Sequence, residues 1–233
     1  MKKINVLDKG YIRLVDVMGD DDTVVNAARV SFDKEADKYS DEQNKRLIDF
    51  LAREGHDSPF RHAVMQFEVY APMMVTRQWE KYLIGSNNSE FGARNESSRR
   101  YITENEEFYI PQASEWRSKP EASIKQGSGE PIHESSGALL TDELRRYIEL
   151  GEGLYKGAMD LGVAPEQARL FLPAYGMYVR FRWTATLQTV SHLIRQRTAD
   201  GAQYEFRLYA EAIKELALEK FPVSLSALLK ERV

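Results

Sequence analysis

The chain has 233 residues, of which 42% are hydrophobic, which is enough for one large domain or two small ones with a substantial core. The formal net charge of −4 excludes bulk attraction to nucleic acid or to an anionic membrane, so any anion-binding site must be local. The absence of cysteine excludes disulfides, zinc–cysteine sites, iron–sulfur clusters and cysteine nucleophiles.

The N-terminal segment gives the first indication of cellular location. Residues 1–10 read MKKINVLDKG, with two lysines but no apolar run after them, so we do not expect a signal peptide. No stretch approaches the roughly 18 apolar residues of a membrane span. We therefore expect a cytoplasmic protein whose partners include neither membranes nor nucleic acid.

The first third of the chain predicts strands alternating with helices. Residues 4–19, INVLDKGYIRLVDVMG, alternate apolar and polar side chains and are typical of strands. Residues 23–32 predict a short amphipathic helix, and residues 40–56 predict a longer one that its first residue, a serine, can cap. Residues 63–79, AVMQFEVYAPMMVTRQW, begin as a strand that Pro72 interrupts, and a helix is expected to follow.

The remainder of the chain predicts mostly helices after a poorly periodic middle part. We expect a flexible polar insertion at about 85–94, which is rich in Gly, Ser and Asn. We also expect a surface excursion at about 117–137, which is rich in Gly, Ser and Pro. Helical patterns follow from Leu139, and residues 178–197 mix a strand pattern with a helix pattern. Since there is no internal repeat and no clear linker, residues 1–233 are predicted to form a single α+β domain.

Several arginines lie beside apolar or aromatic residues, which is unusual for solvated helix faces. A guanidinium held partly inside a protein is normally paired or reserved for a ligand. Two interpretations remain open at this point: ion pairs with the 36 acidic residues, or a site for a phosphate or another small anion. The arginines in question are Arg77, Arg169, Arg180, Arg182, Arg195 and Arg197.

The segment RNESSRRYI, residues 94–102, adds hydroxyl and guanidinium groups without a helix or strand pattern. Ser98 and Arg100 could bind a phosphate, whereas Glu96 would repel it and is better suited to a sugar hydroxyl or to orienting an arginine. On these residues alone a solvated surface loop is the slightly favoured interpretation.

Other sites are disfavoured by missing motifs. The chain lacks G-x-G-x-x-G, G-x-x-x-x-G-K-[ST] and G-x-S-x-G, which argues against usual dinucleotide binding, nucleoside triphosphatases and serine hydrolases. His56 and His62 are separated by Pro59 and are not accompanied by a carboxylate triad, so no metal site is expected. His192 is most simply a buried, hydrogen-bonded histidine.

Separated segments of the chain match the ordered motifs of one family. NESSRRY (95–101) matches the second half of a signature that reads R-H-R, two residues, S, one residue, N-E-x-S-x-R-Y. HDSPFRH (56–62) and RQW (77–79) match motifs upstream of it, and VAPEQARLFLP (163–173) and RTADGAQYEF (197–206) match an arginine helix and an R-A-x-x-H-A-Q-x-E segment downstream. In these motifs the sequence resembles the flavin-dependent thymidylate synthases over nearly its whole length.

The resemblance implies a set of site residues. Arg197 matches the arginine that contacts uracil and favours its ionised form, and it is the expected catalytic residue. The loop expected to hold the phosphate and sugar of deoxyuridine monophosphate (dUMP) comprises Glu96, Ser97, Ser98, Arg99 and Arg100. Further nucleotide contacts are expected from Gln78, Lys81 and Arg169. Contacts to FAD are expected from His56, Ser58, Lys81, Glu96, Thr186, Leu187, Gln188 and His192.

The resemblance also implies the reaction and its partners. The family converts dUMP to dTMP with FAD as cofactor, methylenetetrahydrofolate as methylene donor and, usually, NADPH as reductant. A reduced flavin that supplies hydride and relays the methylene carbon fits a chain with no cysteine for attack on uracil. The implied fold is a curved, mostly antiparallel sheet flanked by helices, and the implied assembly is a homotetramer with sites formed between subunits.

The sequence departs from the family in the segment after RQW. No R-H-R is present, and the chain reads EKYLIGSNNSEFGAR over residues 80–94. Lys81 could replace one flavin or phosphate contact, and Arg94 could supply another. Two alternatives therefore stay open: transfer of a related one-carbon group to a pyrimidine nucleotide, or a nucleotide-binding homologue that has lost catalysis.

Overall fold

The computed structural model describes residues 2–30, 35–82, 93–97, 107–121 and 126–230. Within them, five strands form one open antiparallel sheet in the order β1-β2-β3-β5-β4. The strands are β1 (Lys3–Val6), β2 (Gly10–Met18), β3 (Val64–Pro72), β4 (Ala93–Glu96) and β5 (Tyr178–Thr186). The centre of the sheet is the long pairing of β3 with β5, which joins two distant parts of the chain.

Eight α-helices flank this sheet among the described residues. They are α1 (Asp21–Arg29), α2 (Asp41–Arg53), α3 (Met73–Trp79), α4 (Glu134–Asp160), α5 (Pro165–Ala168), α6 (Leu187–Arg197), α7 (Tyr204–Leu218) and α8 (Pro222–Leu229). None of these helices combines the length and the apolar character needed to cross a bilayer. The predicted α+β class is confirmed.

Local capping signals explain where several helices begin. Ser40 caps α2 as predicted: its hydroxyl accepts from the Gln43 N–H, and the Gln43 side chain accepts from the Ser40 N–H at 3.0 Å. Asp21 in the first turn of α1 accepts from the backbone N–H groups of Val223 and Ser224, at 2.9 and 2.8 Å. A carboxylate from the start of the chain therefore satisfies the N-terminal donors of α8.

The main core lies between the sheet and helices α1, α2, α3, α6, α7 and α8. Trp79 is fully buried at its centre and packs edge-on against Phe181 and Trp183 and face-on against Phe206. This aromatic group connects the end of α3 to β5 and to the first turns of α7. Because Gln78 directly precedes Trp79 on α3, the core fixes the position of this side chain in the candidate site.

The long helix α4 packs against the segment 107–121 through a close backbone contact. A Cβ at Gly137 would overlap the carbonyl oxygen of Ala113, so only glycine permits this approach. Nearby, Thr141 donates to the Pro111 carbonyl at 2.8 Å and accepts from the Trp116 indole at 2.9 Å. The helix begins at Glu134, within the predicted 117–137 excursion and earlier than the sequence pattern indicated.

Candidate active site

The guanidinium of Arg197 lies at the C-terminal end of α6, where two side chains from the segment 78–82 hold it. Its Nε donates to the hydroxyl of Tyr82 at 2.8 Å, and its Nη1 donates to Oε1 of Gln78 at 2.9 Å. The charged group also lies 5.5 Å from the ring centroid of Tyr82 and 5.0 Å from that of Phe206. Arg197 is therefore held by hydrogen bonds and cation–π contacts in one orientation.

The hydrogen bonds continue from Arg197 to the start of α7. The Nε2 group of Gln78 donates to Oε1 of Gln203, and Nε2 of Gln203 donates to the carboxylate of Glu205 at 2.9 Å. We call Glu205, Gln203 and Gln78 the amide relay. The resemblance assigned a nucleotide contact to Gln78 and the catalytic role to Arg197, and the structure places these two side chains in contact.

A cavity of about 760 Å³ adjoins the amide relay. All three relay residues line it, together with Met74, Leu144 and Ile148. Its aromatic lining residues are Phe108, Tyr109, Trp116, Tyr147, Tyr175 and Tyr204. A concave, largely apolar space with a few polar groups at one side is the usual setting of a small-molecule site.

The other predicted residues on α6 lie near its N-terminus and along its length. Thr186 caps the helix, since its hydroxyl accepts from the Thr189 N–H at 3.3 Å. Leu187 is fully buried, and its N–H donates to the Ala63 carbonyl. The side-chain oxygen of Gln188, also buried, accepts from Nε of Arg61 at 2.7 Å.

His192 lies on α6 and packs against Tyr82, the tyrosine that binds Arg197. Its ring centroid lies 5.7 Å from that of Tyr82, and the side chain is half-buried. Burial lowers the pKa of His192 below its ordinary value, and the positive charges of Arg195 and Arg197 lower it further. The imidazole is therefore neutral at pH 7, with one nitrogen that donates and one that accepts.

His56 and Ser58 lie on the exposed turn that follows α2 and leads into a short helical turn, Ser58–Arg61. The ring of His56 stacks on Phe50, with 5.8 Å between centroids. Arg61 at the end of this turn is the partner of Gln188, so the turn carrying Ser58 is attached to the N-terminal part of α6. The structure thereby links the segments that the resemblance assigned to FAD.

The predicted nucleotide loop is described only at its beginning. In β4, Arg94 and Glu96 form an ion pair at 2.5 Å, and the guanidinium of Arg94 lies 4.3 Å from the ring centroid of Phe181. This contact agrees with the interpretation that Glu96 orients an arginine. The backbone N–H of Ser97 donates to the Arg180 carbonyl at 2.9 Å. Ser98, Arg99 and Arg100 lie outside the described residues.

Lys81 and Arg169 are not among the described contacts of Arg197. Lys81 is exposed on the turn between α3 and Tyr82. Arg169 follows α5, and its Nε donates to the carbonyl of Pro165 at 3.3 Å. Neither residue lines the cavity. Within the described part of the chain, no group of three or more His, Asp or Glu side chains could hold a metal ion.

Sequence reasoning missed four residues around Arg197: Tyr82, Gln203, Glu205 and Phe206. Three of them belong to the RTADGAQYEF segment, which was matched to the family but given no role beyond Arg197. Tyr82 lies in the EKYLIG segment, where the chain departs from the R-H-R motif. Its relation to Arg197 could not be read from local pattern, because about 115 residues separate the two positions along the chain.

Comparison with known proteins identifies the family. The model of the family described as "Thymidylate synthase complementing protein" matches residues 13–223. The chain is 40% identical over 228 residues to the flavin-dependent thymidylate synthase of Thermus thermophilus, covering 96% of this chain and 77% of that protein. The enzyme of the same name from Thermotoga neapolitana is 38% identical over 231 residues, covering 98% and 94%.

The chain belongs to the flavin-dependent thymidylate synthase family. The predicted family and enzyme class are thus confirmed. Among solved structures, the UMP/dUMP methylase PolB from Streptomyces cacaoi, bound with 5-Br dUMP, matches with a TM-score of 0.79 and 26% identity. The match covers 96% of each chain, so the similarity extends over the whole fold. The PolB structure bound with 5-Br UMP matches with a TM-score of 0.80.

Proposed function

We propose that this enzyme reductively methylates dUMP to dTMP, with FAD as hydride carrier, methylenetetrahydrofolate as carbon donor and NADPH as reductant. The observation that carries the proposal is the arginine at the expected catalytic position. Arg197 is fixed by Gln78 and Tyr82, and Gln78 lines a cavity of about 760 Å³, in a member of the flavin-dependent thymidylate synthase family.

Arg197 would bind and polarise the uracil ring. Its two hydrogen bonds within the described residues use Nε and Nη1, so we assign Nη2 to a uracil oxygen. A fixed cation beside the ring stabilises the negative charge that develops on the uracil oxygen when C5 acts as the nucleophile. Since both partners of the guanidinium are already in place, little reorganisation is needed when that charge appears.

The residues expected to contact FAD have a donor set that suits it. The neutral imidazole of His192, the buried amide of Gln188 and the hydroxyls of Ser58 and Thr186 provide donors and acceptors for the flavin ring and the diphosphate. His56 and the backbone at the start of α6, where the side chain of Leu187 is buried in the core, would complete this face. Bound and reduced, the flavin would supply hydride and relay the methylene carbon, so no cysteine thiolate would be needed to attack uracil.

The phosphate of dUMP would be held by the loop after β4 and by cations from elsewhere. We assign this role to Ser97, Ser98 and Arg100, with Arg99 and Lys81 nearby, and give Glu96 the sugar hydroxyl. Arg169 is half-buried, and its described hydrogen bond goes to the Pro165 carbonyl and not to a residue around Arg197. Its proposed role as a nucleotide contact is consistent with a site shared between subunits.

A homotetramer would explain the apolar outer face of α4. The exposed fractions of Leu139, Leu150 and Leu154 are 69, 61 and 47%. A series of exposed leucines on one helix is typical of a buried subunit contact. Leu150→Lys should reduce the molar mass in light scattering, whereas Glu149→Lys, beside it and already exposed, should not. An unchanged mass for Leu150→Lys would exclude α4 from the interface.

The direct test is a spectral titration of purified protein followed by product analysis. Yellow protein with flavin absorbance that changes on addition of dUMP, and a product of the mass of dTMP, are the expected results. Arg197→Ala should retain flavin and lose turnover, because the uracil contact is removed while every residue expected to contact FAD is kept. Colourless protein that cannot be reconstituted with FAD would instead support a nucleotide-binding homologue without catalysis.

The likeness to PolB supports a second candidate, methylation of the ribonucleotide UMP. UMP and dUMP differ only in the 2′-hydroxyl, which a single polar side chain can accept or exclude. Competition between the two nucleotides in one reaction mixture, with the products separated by mass, decides between them. A methylated ribonucleotide as the main product would exclude dUMP as the preferred substrate.

A further inference from the structure

We propose that Glu205 and Gln203 are positioning residues that fix the orientation of the Gln78 amide and, through it, the guanidinium of Arg197. Neither residue contacts Arg197 directly in the described structure. The proposal rests on the proposed function, since it is the uracil contact of Arg197 that the two residues would support. It adds a role for the residues that sequence reasoning left unassigned.

The first step of the argument is the chemistry of Glu205. An ionised carboxylate only accepts hydrogen bonds, so the group that faces it at 2.9 Å must be the NH2 end of Gln203. The carbonyl end of Gln203 is then directed to Gln78. A carbonyl also only accepts, and the NH2 end of Gln78 must therefore be the group that meets it.

The second step is the effect on Arg197. With its NH2 end committed to Gln203, the amide of Gln78 presents Oε1 to Nη1 of Arg197 at 2.9 Å. The opposite orientation of this amide would place two donors against each other, because a guanidinium has no acceptor. The carboxylate at the start of α7 thus favours, through two amides, the orientation of Gln78 that offers Arg197 an acceptor.

The third step is that the two amides have a weaker preference without the carboxylate. An amide has two orientations of nearly equal shape, related by a half-turn, and only its partners distinguish them. If Glu205 becomes glutamine, its side chain can donate or accept, so the flipped orientation of Gln203 and Gln78 is opposed only at Arg197 and no longer at both ends of the relay. Arg197 would then lose its acceptor for part of the time and move from its place beside the cavity.

A purely structural role of Glu205 must be separated from this one. Glu205 lies in the first turn of α7, where a negative charge also stabilises the helix. Its replacement can therefore lower stability without any effect on Arg197. The chain offers a matched control on the same helix, Glu211, an exposed glutamate that pairs only with Lys214 at 3.5 Å among the described residues.

The test is a charge exchange within the relay. Glu205→Gln should lower kcat/KM for dUMP about tenfold, the value of one charge-assisted hydrogen bond, and Glu211→Gln should leave it unchanged. In the double variant Gln203→Glu/Glu205→Gln, the carboxylate at 203 still only accepts from Gln78, and the amide at 205 can donate to it. The double variant should recover most of the lost kcat/KM, which a helix-stabilising role of Glu205 does not predict.

Crystal structures of the same variants test the relay without reference to turnover. We expect the 2.9 Å contact of Arg197 with Gln78 to be lost or partly occupied in Glu205→Gln and present in the double variant. Full activity in Glu205→Gln, or no recovery in a folded double variant, would overturn the proposal. If the wild-type protein methylates no pyrimidine nucleotide, the proposed function fails, while the crystallographic comparison still decides whether Glu205 orients Gln78.

Discussion

Replacing Tyr82 with phenylalanine tests the other support of Arg197. The change removes the hydroxyl that accepts from Nε of Arg197 at 2.8 Å and keeps the ring beneath the guanidinium. Gln78 and Phe206 keep their contacts with the arginine. The substitution therefore isolates one charge-assisted hydrogen bond in a half-buried position.

The size of the effect follows from that bond. A hydrogen bond to a charged group contributes about 1.5–3 kcal/mol, and about 1.4 kcal/mol corresponds to a factor of ten in rate. Because Arg197 keeps its other partners and some solvent access, we expect an effect in the lower half of this energy range. That corresponds to a loss of about 10- to 30-fold in kcat/KM for dUMP. Burial raises the pKa of Tyr82, so the phenol stays neutral and the ratio to wild type should not vary between pH 6 and 9.

The assay is steady-state dTMP formation at saturating reductant and folate, with flavin content measured for each variant. Tyr209→Phe is the matched control, because it removes an equally buried tyrosine hydroxyl, which donates to the Tyr70 carbonyl at 2.8 Å. It should lower the melting temperature and leave kcat/KM within about twofold of wild type. Equal losses of activity in the two variants, or full activity in Tyr82→Phe, would refute the assignment of Tyr82 to Arg197.

Three further predictions concern stability and ionisation. Gly137→Ala should lower the free energy of unfolding by about 1–3 kcal/mol, as measured by denaturant titration. Gly153 lies on the same helix with open space where a Cβ would be, so Gly153→Ala should raise the free energy of unfolding by up to about 1 kcal/mol. Asp21→Ala should cost about 1–3 kcal/mol by the same measurement, because it leaves the α8 donors unpaired. The pKa of His192 is lower in the folded than in the unfolded chain, so the unfolded chain binds the proton more readily. The contribution of His192 to the free energy of unfolding should therefore fall as the pH drops below about 6.5. An NMR titration should give a midpoint below this value, which Arg195→Gln should raise; an unshifted wild-type midpoint would contradict the assigned burial.

The parts of the fold that could be predicted are those with a local cause. The Ser40 cap is determined by residues three positions apart, and the end of β3 at Pro72 follows from the missing N–H of proline. The start of α4 was misplaced because Ser135 and Gly137 have low helix propensity. The close packing of Gly137 on the segment 107–121 explains a glycine that helix propensity alone disfavours.

The candidate site could be predicted only where a motif carried it. Gln78 and Arg197 were found because both belong to segments with a family pattern, and the structure shows them in contact. Tyr82 and the amide relay depend on which side chains meet across more than a hundred residues of chain. No local periodicity encodes such a meeting, and hydrogen-bond direction through two amides is visible only when all three partners are placed.

The pairing of β3 with β5 has a consequence for how the chain is synthesised. A ribosome releases β1, β2 and β3 early, but the strand that covers the open edge of β3 is made about 120 residues later, since Val64 pairs with Thr186. Until then, the nascent chain presents an uncovered row of backbone donors and acceptors flanked by apolar side chains. Fragments released before residue 186 should therefore aggregate or require a chaperone, and the candidate active site can be assembled only after translation is nearly complete.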